Sequence, residues 1–76
     1  MKGIGMNHIS INTPFIKLDQ FLKFANCVAS GGESKLRIAA GEVRVNGEVC
    51  TMRGKKLTPG DTVTFAGETF MVDAAE

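Results

Sequence analysis

The stretch Ser30-Gly31-Gly32-Glu33-Ser34-Lys35-Leu36-Arg37-Ile38-Ala39-Ala40-Gly41-Glu42-Val43-Arg44-Val45-Asn46-Gly47 reads as a helix followed at once by half a β-hairpin. Ser30 is a good N-cap. Glu33, three residues on, completes a capping box in which each side chain satisfies a backbone N–H that the helix leaves free. Gly41 falls where a left-handed residue ends a helix, and Asn46-Gly47 between alternating apolar positions signals a type I′ turn. So short a helix needs tertiary contacts to persist, so the rest of the chain must supply a platform.

Downstream, Val43, Val45 and Val49 alternate with Glu42, Arg44 and Glu48 and predict a hairpin with one apolar face. Thr51-Met52-Arg53-Gly54-Lys55-Lys56 follows as a basic loop. Thr58-Pro59-Gly60-Asp61 puts Pro and then Gly at the centre of a type II turn. Strands are expected over residues 62–65 and 68–72, joined across Ala66-Gly67, with residues 73–76 fraying.

Upstream, residues 8–12 alternate with Ile9 and Ile11 on one side and predict a short strand. Phe15, Leu18, Phe21, Leu22 and Ala25 recur at helical spacing, an apolar stripe on a helix ending near Asn26. Its start has two readings: Thr13 and Pro14 as N-cap and first residue, or an extended chain through Ile16 with the helix opening at Leu18. Lys17, Gln20 and Phe24 project together away from the stripe. They form either a polar flank, with Phe24 covering the edge of the core, or a cation and an aromatic beside a ligand.

On the second helix Leu36 and Ile38 lie about 200° apart, so only one can be central to a buried face, and the pattern leaves open which. Lys35 and Arg37 carry solvent-seeking heads either way. Gly31 and Gly32 either shape a tight inter-helix turn or let a phosphate approach the free N–H groups of the helix start. The GxxxxGK[ST] spacing of a P-loop is absent.

The 76 residues, 43% hydrophobic with no Trp or Tyr, suit one small globular domain over residues 1–76. The charge is polarised. Up to Lys56 nine basic residues face four acids, a net of +5, and from Leu57 onward four acids face no Lys or Arg, a net of −4. A basic stretch of this kind on a small domain suggests nucleic acid or another polyanion.

No apolar run approaches the roughly 20 residues of a membrane span, and the first residues lack the apolar region of a signal peptide, so a cytoplasmic protein away from membranes is expected. Cys27 and Cys50 have no CxxC or His-pair context and are expected as buried structural thiols in a reducing compartment, with no metal. His8 is expected to be solvated. No Ser/His/Asp, Cys/His or paired-carboxylate constellation supports an enzyme, and Asp19 reads as a first-turn helix residue; no catalytic residue and no cofactor are expected.

Lys17-Leu18-Asp19-Gln20-Phe21-Leu22, Ser30-Gly31-Gly32-Glu33, Gly41-Glu42-Val43-Arg44-Val45-Asn46-Gly47 and Pro59-Gly60-Asp61 together resemble the S4 RNA-binding domain, and more narrowly its small stand-alone bacterial form. The resemblance covers about residues 15–72. It implies an α+β fold of the S4-like αL-motif type, two short helices packed on a small, mainly antiparallel β-sheet. It also implies binding of structured RNA through the helices, the loop between them and the start of the hairpin.

Lys17 stands where many members carry Arg before Leu-Asp, and Ser30 at the Ser that opens the second helix. Lys35, Arg37 and Arg44 fall on or beside the implied RNA face. Many members follow that Ser with arginines. Gly31-Gly32 here remove those side-chain contacts and leave backbone N–H groups in their place.

The expected function is non-catalytic binding, as a monomer, of folded ribosomal or transfer-type RNA, with the ribosome as one setting. Few aromatics favour recognition of shape over stacking. Contacts are expected from Lys17, Gln20, Ser30, Gly31, Gly32, Lys35, Arg37, Arg44, Arg53, Lys55 and Lys56. The alternative is a protein-interaction adaptor docking through the acidic C-terminal stretch. A DNA binder is weaker, for want of a recognition helix of useful length. A coherent positive face would speak for RNA and an exposed apolar patch for a protein partner.

Overall fold

In the computed structural model, which describes residues 6–75, nine elements follow one another. They are β1 (Asn7–Ile11), β2 (Ile16–Lys17), α1 (Leu18–Phe24), α2 (Gly31–Ala39), β3 (Val43–Val45), β4 (Glu48–Val49), β5 (Lys56–Leu57), β6 (Thr62–Phe65) and β7 (Glu68–Ala74). Five strands form one sheet in the order β1-β7-β6-β3-β4, antiparallel except for the parallel β1–β7 pair. β2 and β5 form a second, two-stranded antiparallel sheet.

Local chemistry sets most of these boundaries. At the start of α2 the Ser30 Oγ accepts from the Glu33 N–H at 3.2 Å. The Glu33 carboxylate answers at the Ala29 N–H, 3.0 Å away, one residue before the position the capping box predicts. Both helices stop alike. Asn26 (φ 61°) and Gly41 (φ 79°) take the left-handed conformation. In each case that residue's N–H and the next one donate back into the last turn: Asn26 to Lys23 O and Cys27 to Leu22 O, Gly41 to Ile38 O and Glu42 to Arg37 O. This is the Schellman arrangement. Positive φ at Asn46 and Gly47, and again at Ala66 and Gly67, gives the two type I′ turns. Gly60 (φ 102°) and the Asp61 N–H to Thr58 O bond of 3.0 Å complete the type II turn.

Register decides which side chains meet. Val45 pairs with Val63 and Val63 with Phe70, and these residues, with Val43 and Val72, make the buried sheet face. Leu18, Phe21 and Leu22 of α1 and Ile38 of α2 pack on it, the Phe21 and Phe70 rings meeting edge to face at 6.1 Å. The second helix thus settles on Ile38, leaving Leu36 72% exposed. Ser34 is fully buried and donates its Oγ–H to the Asp19 carbonyl at 2.9 Å, tying the two helices together.

Several expectations are corrected. Val49 does not share the face of Val43 and Val45. A two-residue turn sets Val45 opposite Glu48 and Arg44 opposite Val49, so Val49 stands half-exposed beside Arg44. The inward position opposite Val43 goes to Cys50, whose N–H donates to the Val43 carbonyl and which packs against the core. Phe15 lies ahead of α1, just before strand β2, and is 37% exposed. Lys56, assigned to a loop, belongs to strand β5.

Residues 73–75 do not fray. β7 runs to Ala74 beside β1, and the Ala75 N–H donates to Ile11 O at 2.8 Å; Glu76 lies outside the described residues. His8 is exposed yet paired, its Nδ1 lying 2.8 Å from Asp73 Oδ2. Cys27 and Cys50 are free and only half-buried.

Candidate nucleic-acid interface

The start of α1 is assembled from two distant segments. Lys17, its N-cap, is extended and makes no side-chain cap. The first free N–H groups donate instead to the loop before β5, Leu18 to Lys55 O at 2.8 Å and Asp19 to Arg53 O at 3.1 Å. That loop is the basic one. Its carbonyls cap the helix while its side chains remain at the surface, and β2 and β5 then pair Lys17 directly with Lys56. Like charges in a cross-strand pair repel unless an anion screens them. Lys56 also lies over the Phe15 ring, its Nζ 4.9 Å from the centroid.

Gln20 follows on the exposed side of α1, and Phe24, one turn further, is 60% exposed. Phe24 therefore does not cover the core. Phe15, Ile16, Lys17, Gln20 and Phe24 line an open groove of about 530 Å³ whose far wall is the chain from Ser10 to Thr13, with Ala75.

On α2, Gly31 and Gly32 occupy the first turn with no positive φ, and a Cβ on either would meet nothing closer than the Ser30 Oγ at 3.9 Å. No backbone strain or close packing calls for glycine at either position. Among the described residues no hydrogen bond engages their N–H groups. Lys35 and Arg37 stand about 200° apart on the helix, on opposite flanks of the buried Ser34–Ile38 line. Arg37 bonds Glu42 at 3.2 Å and Glu33 at 3.5 Å. Arg44 projects from the sheet face turned away from the helices and reaches the Gly47 carbonyl at 3.5 Å.

The eleven expected contact residues thus divide. Lys17, Gln20, Arg53, Lys55 and Lys56 belong to one structural unit around the start of α1, and Ser34 ties the opening turns of α2, with Ser30, Gly31, Gly32 and Lys35, to that unit through Asp19. Arg37 and Arg44 stand apart. Among the described residues Lys17, Lys23, Lys35, Arg44, Arg53, Lys55 and Lys56 make no ion pair. Sequence reasoning gave Phe15 only a core role; its surface place beside Lys56 depends on the β2–β5 pairing, which has no local signal.

Other conspicuous motif residues serve the fold. The Asn46 amide donates to Asp61 Oδ1 at 3.2 Å, and its carbonyl oxygen accepts from the Thr62 N–H at 3.0 Å, clasping the hairpin turn to the Pro59-Gly60-Asp61 turn. Asp61 also accepts from the Thr58 N–H at 2.8 Å and from the Thr58 hydroxyl. Desolvation pushes its carboxyl up, but the bonds from Thr58 and Asn46 and the charge of Lys55 outweigh it and hold the group below its ordinary value. Burial, and behind it the Glu68 carboxylate, raises the Cys27 thiol above its ordinary value, which makes it a poor nucleophile. Asp19 lies in the first turn of α1, its Oδ1 buried without a hydrogen-bond partner among the described residues. Among the described residues no group of three or more His, Cys, Asp or Glu is placed to hold a metal, and no helix is long and apolar enough to cross a membrane.

The sequence profile of the S4 domain matches residues 9–73, most of the chain. The protein belongs to the S4 domain family. Among its S4-domain relatives is RlbA of Bacillus subtilis (strain 168), named as a probable ribosome maturation protein, 48% identical over 61 residues that span 80% of this chain and 86% of RlbA. YbcJ of Escherichia coli (strain K12), whose name assigns it to RNA binding, is 39% identical over 61 residues, 80% of this chain and 87% of its own. The solution structure of E. coli YbcJ, described as revealing an αL motif involved in RNA binding, superposes with a TM-score of 0.66 and 34% identity, covering 97% of this chain and 92% of that one. These relatives are little longer than one S4 domain, and the α+β architecture of the family is the one seen here.

Proposed function

We propose that this protein binds structured RNA, of ribosomal or transfer type, through the surface centred on the start of α1 and the β2–β5 pair. It acts there without catalysis, in a reducing cytoplasm that suits its two free thiols. The observation that carries the reading is the Lys17–Lys56 pair. Two cations are set side by side by backbone pairing, with Lys55 and Arg53 anchored next to them, and none of the four makes an ion pair among the described residues. Such an arrangement costs the free protein and is relieved by a phosphate. The open first turn of α2 adds backbone donors at the positive end of a helix. The names of RlbA and YbcJ, one for ribosome maturation and one for RNA binding, point the same way.

Leu36 is the observation that favours a protein partner, since it stands 72% exposed on the outer face of α2. The acidic dock proposed for such a partner is weakened, because Asp61 and Asp73 are engaged within the fold.

Fluorescence anisotropy with a labelled RNA hairpin and a matched DNA duplex over a salt series tests the proposal. RNA is expected to bind more tightly, with the logarithm of affinity falling against that of salt at a slope of magnitude about 3 to 5. Lys17→Ala and Lys56→Ala each lower the slope by about 1, whereas Arg37→Ala changes it least. If neither nucleic acid binds at low salt, the proposal fails and the adaptor reading is left.

A further inference from the structure

Phe24 is out of place by the logic of folding alone. Leu18, Phe21 and Leu22 on the other side of α1 are completely buried, yet Phe24 leaves most of its ring in solvent at the groove beside β2. Gln20 lies one helical turn before it, so amide and ring stack along the same flank. Among the described residues no hydrogen bond engages the Gln20 amide. A second, shallower hollow of about 340 Å³, lined by Ile16, Gln20, Lys23 and Phe24, adjoins the first. Ring and amide thus stand between two open spaces, with Lys17 and Lys23 on either side and Lys56 across the strand pair from Lys17.

We infer that this groove receives one unpaired nucleobase of the bound RNA, stacked on Phe24 with its edge read by Gln20 and its flanking phosphate held by Lys17. The inference rests on the RNA-binding reading and adds what the surface would recognise beyond helical shape. A base within a duplex offers no free face. A bulged or looped-out base offers an apolar face for an aromatic ring and a polar edge for an amide that both donates and accepts. The phosphate that accompanies the base matches the cationic rim, which an apolar peptide would leave unscreened. The groove, at about 530 Å³, falls in the range of sites that hold small flat ligands.

The test uses two labelled RNA hairpins, each closed by a non-nucleotide linker so that no loop base is unpaired, that differ by a single bulged 5-iodouridine in the stem, bound to the full chain. The bulged hairpin is expected to bind about tenfold more tightly than the paired one. Phe24→Ala and Phe24→Leu should each erase that advantage while leaving the affinity for the paired hairpin unchanged; the leucine variant separates stacking from mere apolar contact. Long-wave irradiation should attach the iodouracil to the peptide containing Phe24. Equal affinity for the two hairpins with no such attachment overturns the base site, leaves RNA binding intact and hands the groove to a protein partner. If neither hairpin binds, the RNA reading fails and the base site with it.

Discussion

The two helices of this protein begin in opposite ways. The start of α2 is self-sufficient: Ser30 and Glu33 satisfy N–H groups within five residues of one another. The start of α1 has no such device and borrows the carbonyls of Arg53 and Lys55 from a segment more than thirty residues downstream. A locally capped terminus can stay open, and the first turn of α2 does. A borrowed cap brings another segment with it, and here that segment is the basic loop and strand β5. The difference explains why the cations of the loop come to lie beside Lys17.

The borrowed cap breaks hardest where β5 is anchored. Leu57 is completely buried, and Leu57→Ala is expected to cost about 2–5 kcal/mol in denaturant unfolding. If the comparison holds, hydrogen exchange at the Leu18 and Asp19 amides rises more than in α2. Uniform acceleration across both helices would show instead that the two starts are not independently held.

The far end of the same segment is fixed by Asp61, so Asp61→Asn should cost about 1 kcal/mol at neutral pH. Because its folded carboxyl is held below the ordinary value, its contribution is complete above the unfolded pKa near 4 and disappears as pH falls through the lowered folded value. Thermal melts of the two proteins should therefore converge below about pH 4, and a gap that persists in acid would exclude the carboxylate as its source.

The local cap is the milder lesion. Ser30→Ala is expected to cost about 1 kcal/mol, with faster exchange confined to the first turn of α2 and no change at Leu18. Smallest in stability is Gly31→Ala with Gly32→Ala. Both sites have room for a methyl group, so stability should rise by a few tenths of a kcal/mol per site, read as a higher melting temperature. RNA affinity should nevertheless fall, because the new side chains stand over the open N–H groups; a rise in both would show that no phosphate approaches there.

The same contrast separates what was legible in the sequence from what was not. Ser30, Glu33, Gly41, Asn46-Gly47 and Pro59-Gly60 act on neighbours a few residues away, and each boundary they predict is present. The α1 start stayed ambiguous between Thr13 and Leu18 because its hydrogen-bond partners lie in another part of the chain. The β2–β5 pair was missed for the same reason, since two residues carry no periodicity of their own. The Val49 error was avoidable: a type I′ turn at Asn46-Gly47 already sets Val43 opposite Cys50. Among the candidate contacts, Arg37 rested on its residue type and on the family resemblance, and only the fold reveals that Glu33 and Glu42 occupy its guanidinium.

One more pairing sets an order of events. β1 lies parallel to β7, with Asn7 against Phe70 and Ile11 against Ala74, so its partner is nearly a full chain length away. The β3–β4 and β6–β7 hairpins close over two residues each and can form early, whereas β1 must wait for the largest loop closure in the fold. The residues that follow β1 directly, Asn12 and Thr13, form a wall of the groove beside Phe24. That groove is therefore complete only once β1 has docked on β7, because a chain with β1 detached lacks the wall formed by Asn12 and Thr13.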